Sequence, residues 1–360
     1  MTQVSVITSA HSVADARLHR LTSALIRANI SVEVIGLGHA SDAPMGCDFR
    51  VALGGKGFKS RVVRDLILPF LAKGEVIIVL APDLLPMAKL VSKLRGQRIV
   101  ADVYEDYVRL LRDRSWATGL TGAIANYIAK SATKIAAKCD LTTVADTQVP
   151  PFHAKDRLVV RNLPDLNVLT QSGELSPKPR AIYIGDLRTS RGLKTMLDVA
   201  QLSPGWHFDF VGQVAQADKA LVAAFLLTPA AERTTFYGRL SPANSWKLAA
   251  GAWVGLSLLE ATPAFVEAVP SKLYEYLAVG LATITTPLPR CVALIEQSQA
   301  GAIATDPIAI ADLLTQWESD PKPLIQMRER GRIWAGQNLD SEAEYGAFAS
   351  RVESLIKRSR

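Results

Sequence analysis

Short apolar runs alternate with stretches of helical period along almost the whole chain, and the alternation breaks once and then restarts. Residues 4–8, 31–35, 76–80, 98–102 and 141–144 read as buried strands, and residues 14–28, 61–71 and 84–94 between them read as helices. Strands that take turns with helices predict βαβ units and a parallel sheet, whose ligands gather at the carboxyl ends of the strands. Around 162–180 the pattern gives way to a polar connector, with Asn162-Leu163-Pro164-Asp165, Gln171-Ser172-Gly173-Glu174 and Pro177-Lys178-Pro179. It resumes with predicted strands at 181–184, 207–211, 234–237, 253–258, 282–285 and 301–304, and from Leu324 onward the chain reads as helix. The expectation is two α/β domains in tandem, with strand-end faces on each side of a cleft. The 360 residues are enough for two cores and too many for one of ordinary size.

Several classes fall away. Apolar residues at 49% against 21% charged exclude a disordered chain. Met1 is followed by a strand-like stretch without a basic region, so no signal peptide is expected. Lys73, Glu75, Pro69 and Pro82 interrupt the most apolar window, 66–85, which fails the ~20-residue requirement for a membrane span. Cys47, Cys139 and Cys291 are isolated, which fits a reducing cytoplasm without a disulfide frame. The five histidines lack metal-ligand spacing, and no Asp-x-Asp occurs, so no metal is expected.

The net charge of +7 is uneven. Lys56, Lys59, Arg61 and Arg64 precede the apolar run 66–71, a combination that suits an anionic membrane surface or a solvated helix face. The basic residues are not interleaved with stacking aromatics, which argues against nucleic acid.

Chemistry concentrates in Glu267-Ala-Val-Pro-Ser-Lys-Leu-Tyr-Glu-Tyr-Leu-Ala-Val-Gly280. Pro270 suits the first turn of a helix. The backbone N–H groups of Ser271, Lys272 and Leu273 would then face an anion at the helix end. Glu267 lies in the loop before it, and Glu275, eight positions later, in its second turn. A loop acid, an anion site and a helix acid so close together describe a phosphate ester with hydroxyls on both sides. Upstream, Gly185 allows a tight turn at a strand end, and Arg188 and Arg191 at the entry to a helix from Gly192 offer two forks for a diphosphate. Arginines at that helix end oppose its dipole, so an anion should compensate them.

Pro270-Ser271-Lys272, then Glu275-Tyr276-Leu277-Ala278 and Gly280, with Glu267 eight before Glu275, resemble the signature of retaining GT-B glycosyltransferases of family GT4, the glycosyl transferases group 1. The segment Gly185 to Gly192 resembles that family's first strand-to-helix turn in the C-terminal domain. The resemblance is specific over 181–304 and looser before 165. It implies two Rossmann-like domains facing a cleft: residues 1–165 for the acceptor, 166–338 for the nucleotide sugar, and a closing helix in 339–360 that crosses back to the first domain.

By the same resemblance, Glu275 would bind the donor ribose, Glu267 would face the transferred sugar, and Arg188 and Arg191 would hold the pyrophosphate with the backbone of Ser271, Lys272 and Leu273. No cofactor or metal is implied. Glu267-Ala268-Val269-Pro270 replaces the family's Glu-Gly-Phe-Gly, which shifts the burden onto the helix end and Lys272. Asp102-Val103-Tyr104-Glu105 resembles an Asp-x-His-Glu turn with Tyr104 in place of a histidine that contacts the donor sugar in relatives. His11, Asp15, Arg17 and Glu105 follow strand ends and are candidates for the acceptor or sugar, while Asn162 falls in the hinge. The expected activity is sugar transfer with retention to a hydroxyl acceptor, lipid-linked or membrane-proximal, in the cytoplasm or at the inner face of the plasma membrane. A nucleotide-sugar 2-epimerase and a non-catalytic GT-B subunit are the rival expectations.

Overall fold

A computed structural model describes residues 2–52, 58–112, 117–164, 166, 169–304 and 306–357. The chain divides into two compact units, residues 1–162 with 342–360, and residues 163–341.

The first unit runs β1 (Val4–Ser12), α1 (Ala16–Arg27), β2 (Val32–Leu37), β3 (Asp48–Val51), α2 (Phe58–Leu71), β4 (Val76–Val79), α3 (Leu85–Arg95), β5 (Arg98–Val103), α4 (Tyr107–Arg112), α5 (Gly119–Ala136), β6 (Leu141–Val144) and β7 (Arg157–Val159). All seven strands are parallel, in the order β3-β2-β1-β4-β5-β6-β7. The interior strands are buried apolar runs such as Val76-Ile77-Ile78-Val79, as a sheet covered on both faces requires. One face packs against α2, α3 and α5 through Leu68, Ala88, Ala129 and Ala132. The other packs against α1 and the last helix.

The second unit continues with β8 (Arg180–Ile184), α6 (Leu193–Leu202), β9 (His207–Val211), α7 (Lys219–Phe225), β10 (Thr234–Gly238), α8 (Pro242–Leu248), β11 (Val254–Ser257), α9 (Ser271–Val279), β12 (Ala282–Thr285), α10 (Pro289–Ser298), β13 (Gly301–Ile303), α11 (Pro307–Ser319) and α12 (Lys322–Asn338). Its six parallel strands are ordered β10-β9-β8-β11-β12-β13. In each sheet the order reverses beside the first strand, between β1 and β4 and between β8 and β11. That reversal parts the two flanking connections and opens a crevice at the carboxyl ends.

The last helix, α13 (Ser341–Lys357), returns to the first unit. Tyr345, Phe348, Val352, Leu355 and Ile356 enter its core. The Tyr345 hydroxyl donates to the carbonyl of Arg161 at 3.1 Å, and the Arg161 backbone N–H donates to Glu344 at 2.8 Å.

Candidate functional site

The second unit's switch point is built by three loops that approach closely. Directly after β8 comes Gly185, whose φ of +147° suits glycine, and a Cβ there would sit 2.9 Å from the Lys272 Nζ. The chain then makes a 3₁₀ turn over Thr189–Arg191, and Gly192, with φ +84°, caps α6. A Cβ on Gly192 would lie 2.1 Å from the Leu258 carbonyl oxygen, so this turn rests directly on the loop after β11. The Glu260 N–H donates to the Ser190 carbonyl at 3.1 Å and locks the two loops. Arg188 thus caps the 3₁₀ turn, Arg191 closes it, and both precede α6.

Arg188 pairs with Asp186 at 3.3 Å, while its Nε is enclosed without a hydrogen-bond partner. Arg191 is half-buried, and its side chain has no ion-pair partner among the described residues. Asp186, which sequence reasoning passed over, is the acid that orients Arg188; its position two residues upstream is the available signal.

Lys272 is 7% exposed, and no carboxylate among the described residues lies within ion-pair distance of it. Its Nζ stands 4.6 Å from the centre of the Tyr183 ring and 3.4 Å from the Tyr183 hydroxyl, which itself donates to the Asp186 carbonyl at 2.9 Å. A cation–π contact offsets part of the desolvation of an ammonium but does not neutralise it. The fold therefore holds a buried positive charge beneath the Gly185 turn, short of its counter-ion.

α9 is the platform for this charge. Pro270 is its N-cap residue, one position before the first turn where it was expected. The Leu273 N–H is partnered by the Pro270 carbonyl at 3.0 Å, so among the described residues the amides left open at this helix end are those of Ser271 and Lys272. Tyr276 fixes the helix's rotation: its hydroxyl accepts from the Ile184 N–H at 3.2 Å and donates to the Leu256 carbonyl at 3.3 Å. The ring lies so close to Gly255 that a Cβ there would approach it to 2.5 Å. At the other end Arg328 donates to the Gly280 carbonyl at 2.7 Å. With the helix held at both ends, Glu275 is half-buried in its second turn. Glu267 is exposed in the preceding loop, and its carbonyl accepts from Arg290 at 3.0 Å. In that loop the Thr262 hydroxyl is enclosed without a partner, another polar group that reasoning from the sequence missed.

In the first unit the strand-end candidates separate. Arg17 is 5% exposed and makes a bidentate pair with Asp102, both bonds 2.7 Å. Its remaining donors reach the Val160 carbonyl and Asn162 Oδ1, each at 2.8 Å. Burial drives the guanidinium down in pKa, but the charge and hydrogen bonding of Asp102, with Tyr345 and Asp15, together outweigh it and the net shift is upward. Arg17, a candidate for the acceptor or sugar, thus has its fork spent inside the unit. Asn162, its partner, is also the last residue before the chain passes into the second unit, where the hinge was expected.

Asp15 is the N-cap of α1, accepting from the N–H groups of Arg17 and Leu18. His11 belongs to β1, which runs to Ser12 rather than stopping at residue 8, and the side chain of His11 lies outside the described set. Glu105 is half-buried after β5. Beside these, Ser9, Arg61, Asp65 and Asp83 collect at the β1–β4 end. Arg61 pairs with Asp83, while burial and the neighbouring Asp83 push Asp65 up to about 6.

Among the described residues no group of three His, Cys, Asp or Glu side chains is placed to hold a metal ion. Also among them, no helix is long and apolar enough to cross a membrane.

Two Rossmann-like units, with the last helix returned to the first, define the GT-B glycosyltransferase fold. Solved structures agree over the full length. Sucrose-phosphate synthase from Thermosynechococcus elongatus is 14% identical with a TM-score of 0.75, covering 99% of this chain and 100% of its own. HepE from Anabaena, in complex with UDP and glucose, is 13% identical with a TM-score of 0.70, covering 98% of this chain and 100% of its own. WaaG, a glycosyltransferase involved in lipopolysaccharide biosynthesis, is 13% identical with a TM-score of 0.66, covering 97% and 99%. Residues 169–334 match the family model of glycosyl transferases group 1, so the likeness carried by the Glu267–Gly280 and Gly185–Gly192 motifs holds across the second unit. No curated protein sequence matches the chain.

Proposed function

We propose that the protein is a retaining glycosyltransferase of the GT4 type that takes a nucleoside diphosphate sugar at the β8–β11 switch point. The observation that carries this reading is Lys272, a buried ammonium without an acidic partner among the described residues, beneath the Gly185 turn, with Arg188 and Arg191 on the adjoining loop. A diphosphate supplies the missing negative charge. The HepE structure in complex with UDP and glucose, on the same fold, supports a nucleotide-sugar donor.

In this reading the diphosphate sits on the Ser271 and Lys272 amides, with Lys272, Arg188 and Arg191 around it. Glu275 receives the ribose hydroxyls, and Glu267 faces the sugar. The bond from the anomeric carbon to the phosphate oxygen breaks, and its electron pair stays on the diphosphate. The acceptor hydroxyl adds to the same face of that carbon, and its proton passes to the leaving phosphate oxygen. The cations stabilise the charge that develops there, an effect worth about 3–4 kcal/mol per donor removed. Retention then needs no covalent intermediate on a carboxylate, which is the route of many hydrolases. In this reading the acceptor hydroxyl belongs to a lipid-linked or membrane-proximal molecule in cell-surface polysaccharide or glycolipid assembly.

A thermal-shift screen of UDP-, GDP-, dTDP- and ADP-sugars tests the donor, since a true donor stabilises the fold by mass action. Arg191→Ala should stay folded and lose most turnover, and Glu275→Ala should weaken donor binding in calorimetry. Full activity in folded Arg191→Ala removes the diphosphate clamp. Conversion of the donor in the absence of acceptor would point to an epimerase instead.

A further inference from the structure

The first unit carries an apolar face that its own core does not use. Eleven of the twenty-two exposed large hydrophobic residues among the described residues lie on α2, α3 and α5. On α2 they are Val62, Val63, Leu66, Ile67 and Phe70, one stripe at helical spacing. On α3 they are Leu90 and Leu94, the latter 72% exposed. On α5 they are Leu120, Ile124, Tyr127 and Ile128, with Leu120 79% exposed.

The three stripes adjoin. The Arg95 guanidinium of α3 lies 5.8 Å from the Phe70 ring centre of α2 and donates to the Phe70 carbonyl at 2.9 Å. Lys89 of α3 reaches the Lys138 carbonyl, just past α5, at 2.9 Å. A cleft of about 660 Å³ bordered by Phe70, Lys73 and Arg95 opens at the end of α2. Lys56, at the head of the basic run read from the sequence, lies outside the described residues.

Charge decides the occupant. The three helices carry eight basic residues and one acid, Asp65. Lys59, Lys93, Arg95, Lys130 and Lys134 are exposed. A second copy of the chain meeting this face by its own would set like charge against like. An anionic bilayer accepts both components: apolar side chains enter the headgroup boundary, and lysine stems run along them to bring ammonium groups to the lipid phosphates. α13, on the opposite side of the same sheet, instead mixes Glu342, Glu344 and Glu353 with Arg351 and Lys357.

We propose that the α2–α3–α5 face of the first unit docks the protein on an anionic lipid bilayer. The proposal does not depend on the donor reading, and its test leaves donor binding untouched. The full chain is sedimented with vesicles of phosphatidylcholine alone and with vesicles containing about 30% phosphatidylglycerol, at low and high salt. Wild type should bind only the anionic vesicles and be released by salt. Leu94→Ser/Leu120→Ser/Tyr127→Ser should weaken binding about tenfold or more, and Lys93→Glu/Lys130→Glu/Lys134→Glu about a hundredfold or more, with unchanged melting temperatures. Ile308→Ser/Ile325→Ser/Ile333→Ser, which alters exposed apolar residues of the second unit, should bind as wild type. Absence of vesicle binding, equal binding by the face variants, or a dimer in sedimentation velocity that these variants dissolve would each overturn the proposal.

Discussion

Lys272→Met separates a ligand-binding charge from a structural one, because the two roles predict opposite signs. In the free protein Lys272 is 7% exposed, and no carboxylate among the described residues repays the desolvation of its ammonium. Burying an ion costs several kcal/mol, and the Tyr183 face returns roughly 0.5–2 kcal/mol of it. The 3.4 Å contact to the Tyr183 hydroxyl is too long to add much. Methionine fills nearly the same volume without charge, so the free variant should unfold at the same urea concentration as wild type or a higher one, by about 1–2 kcal/mol. With a nucleoside diphosphate the sign reverses. One charge-assisted hydrogen bond to phosphate is worth about 1.5–3 kcal/mol, a loss of about 10- to 150-fold in affinity, and turnover should fall about 10²- to 10³-fold. Calorimetry with the diphosphate that gives the largest thermal shift, together with urea unfolding of the free variant, measures both quantities. A variant that is destabilised by several kcal/mol yet binds the diphosphate as wild type does would show that Lys272 is a strut for Tyr183 and would refute the reasoning. Lys272→Arg is not a rescue, because even a Cβ on Gly185 would come within 2.9 Å of the Nζ.

Arg17→Met leaves Asp102, 2% exposed, without its partner and should cost about 3–5 kcal/mol in urea unfolding, with most of it regained in Arg17→Met/Asp102→Leu; a stable single variant would reopen the acceptor role. Phe348→Ala, although near the end of the chain, should destabilise the first unit by about 3–5 kcal/mol, because its ring is fully buried among Leu21, Leu25 and Val34 in the same core. Asp65 holds its proton more tightly in the folded protein, mainly through burial, so stability should fall as pH rises from the ordinary aspartate range through about 6 and level off above it. Because the group is partly exposed, the slope amounts to about 1 kcal/mol, and melting curves across that range should be flatter for Asp65→Asn.

Position in the topology was legible where a residue's role follows from its neighbours in sequence. The start of α9, the turn at Gly185 and the six strands of the second sheet are local patterns, and each lies where the sequence places it. Partnership across the chain was not legible. Arg17 looked like a ligand contact because it follows a strand end, yet its charge is consumed by Asp102, 85 positions away, which no local pattern can report. Lys272 is the converse: its spacing promised a phosphate contact, but the aromatic wall that leaves it without a counter-ion comes from Tyr183, 89 positions upstream. The edge strands β3 and β7 escaped because they are short and only partly buried. α5 escaped for a more useful reason. Its outward positions Leu120, Ile124, Tyr127 and Ile128 are as apolar as its inward alanines, so the contrast that marks a surface helix is missing. A helix that is apolar on both faces hides its own period and leaves an outer face fit for an apolar partner. On the docking proposed above, the neighbouring lysines and arginines suit that outer face to an anionic bilayer.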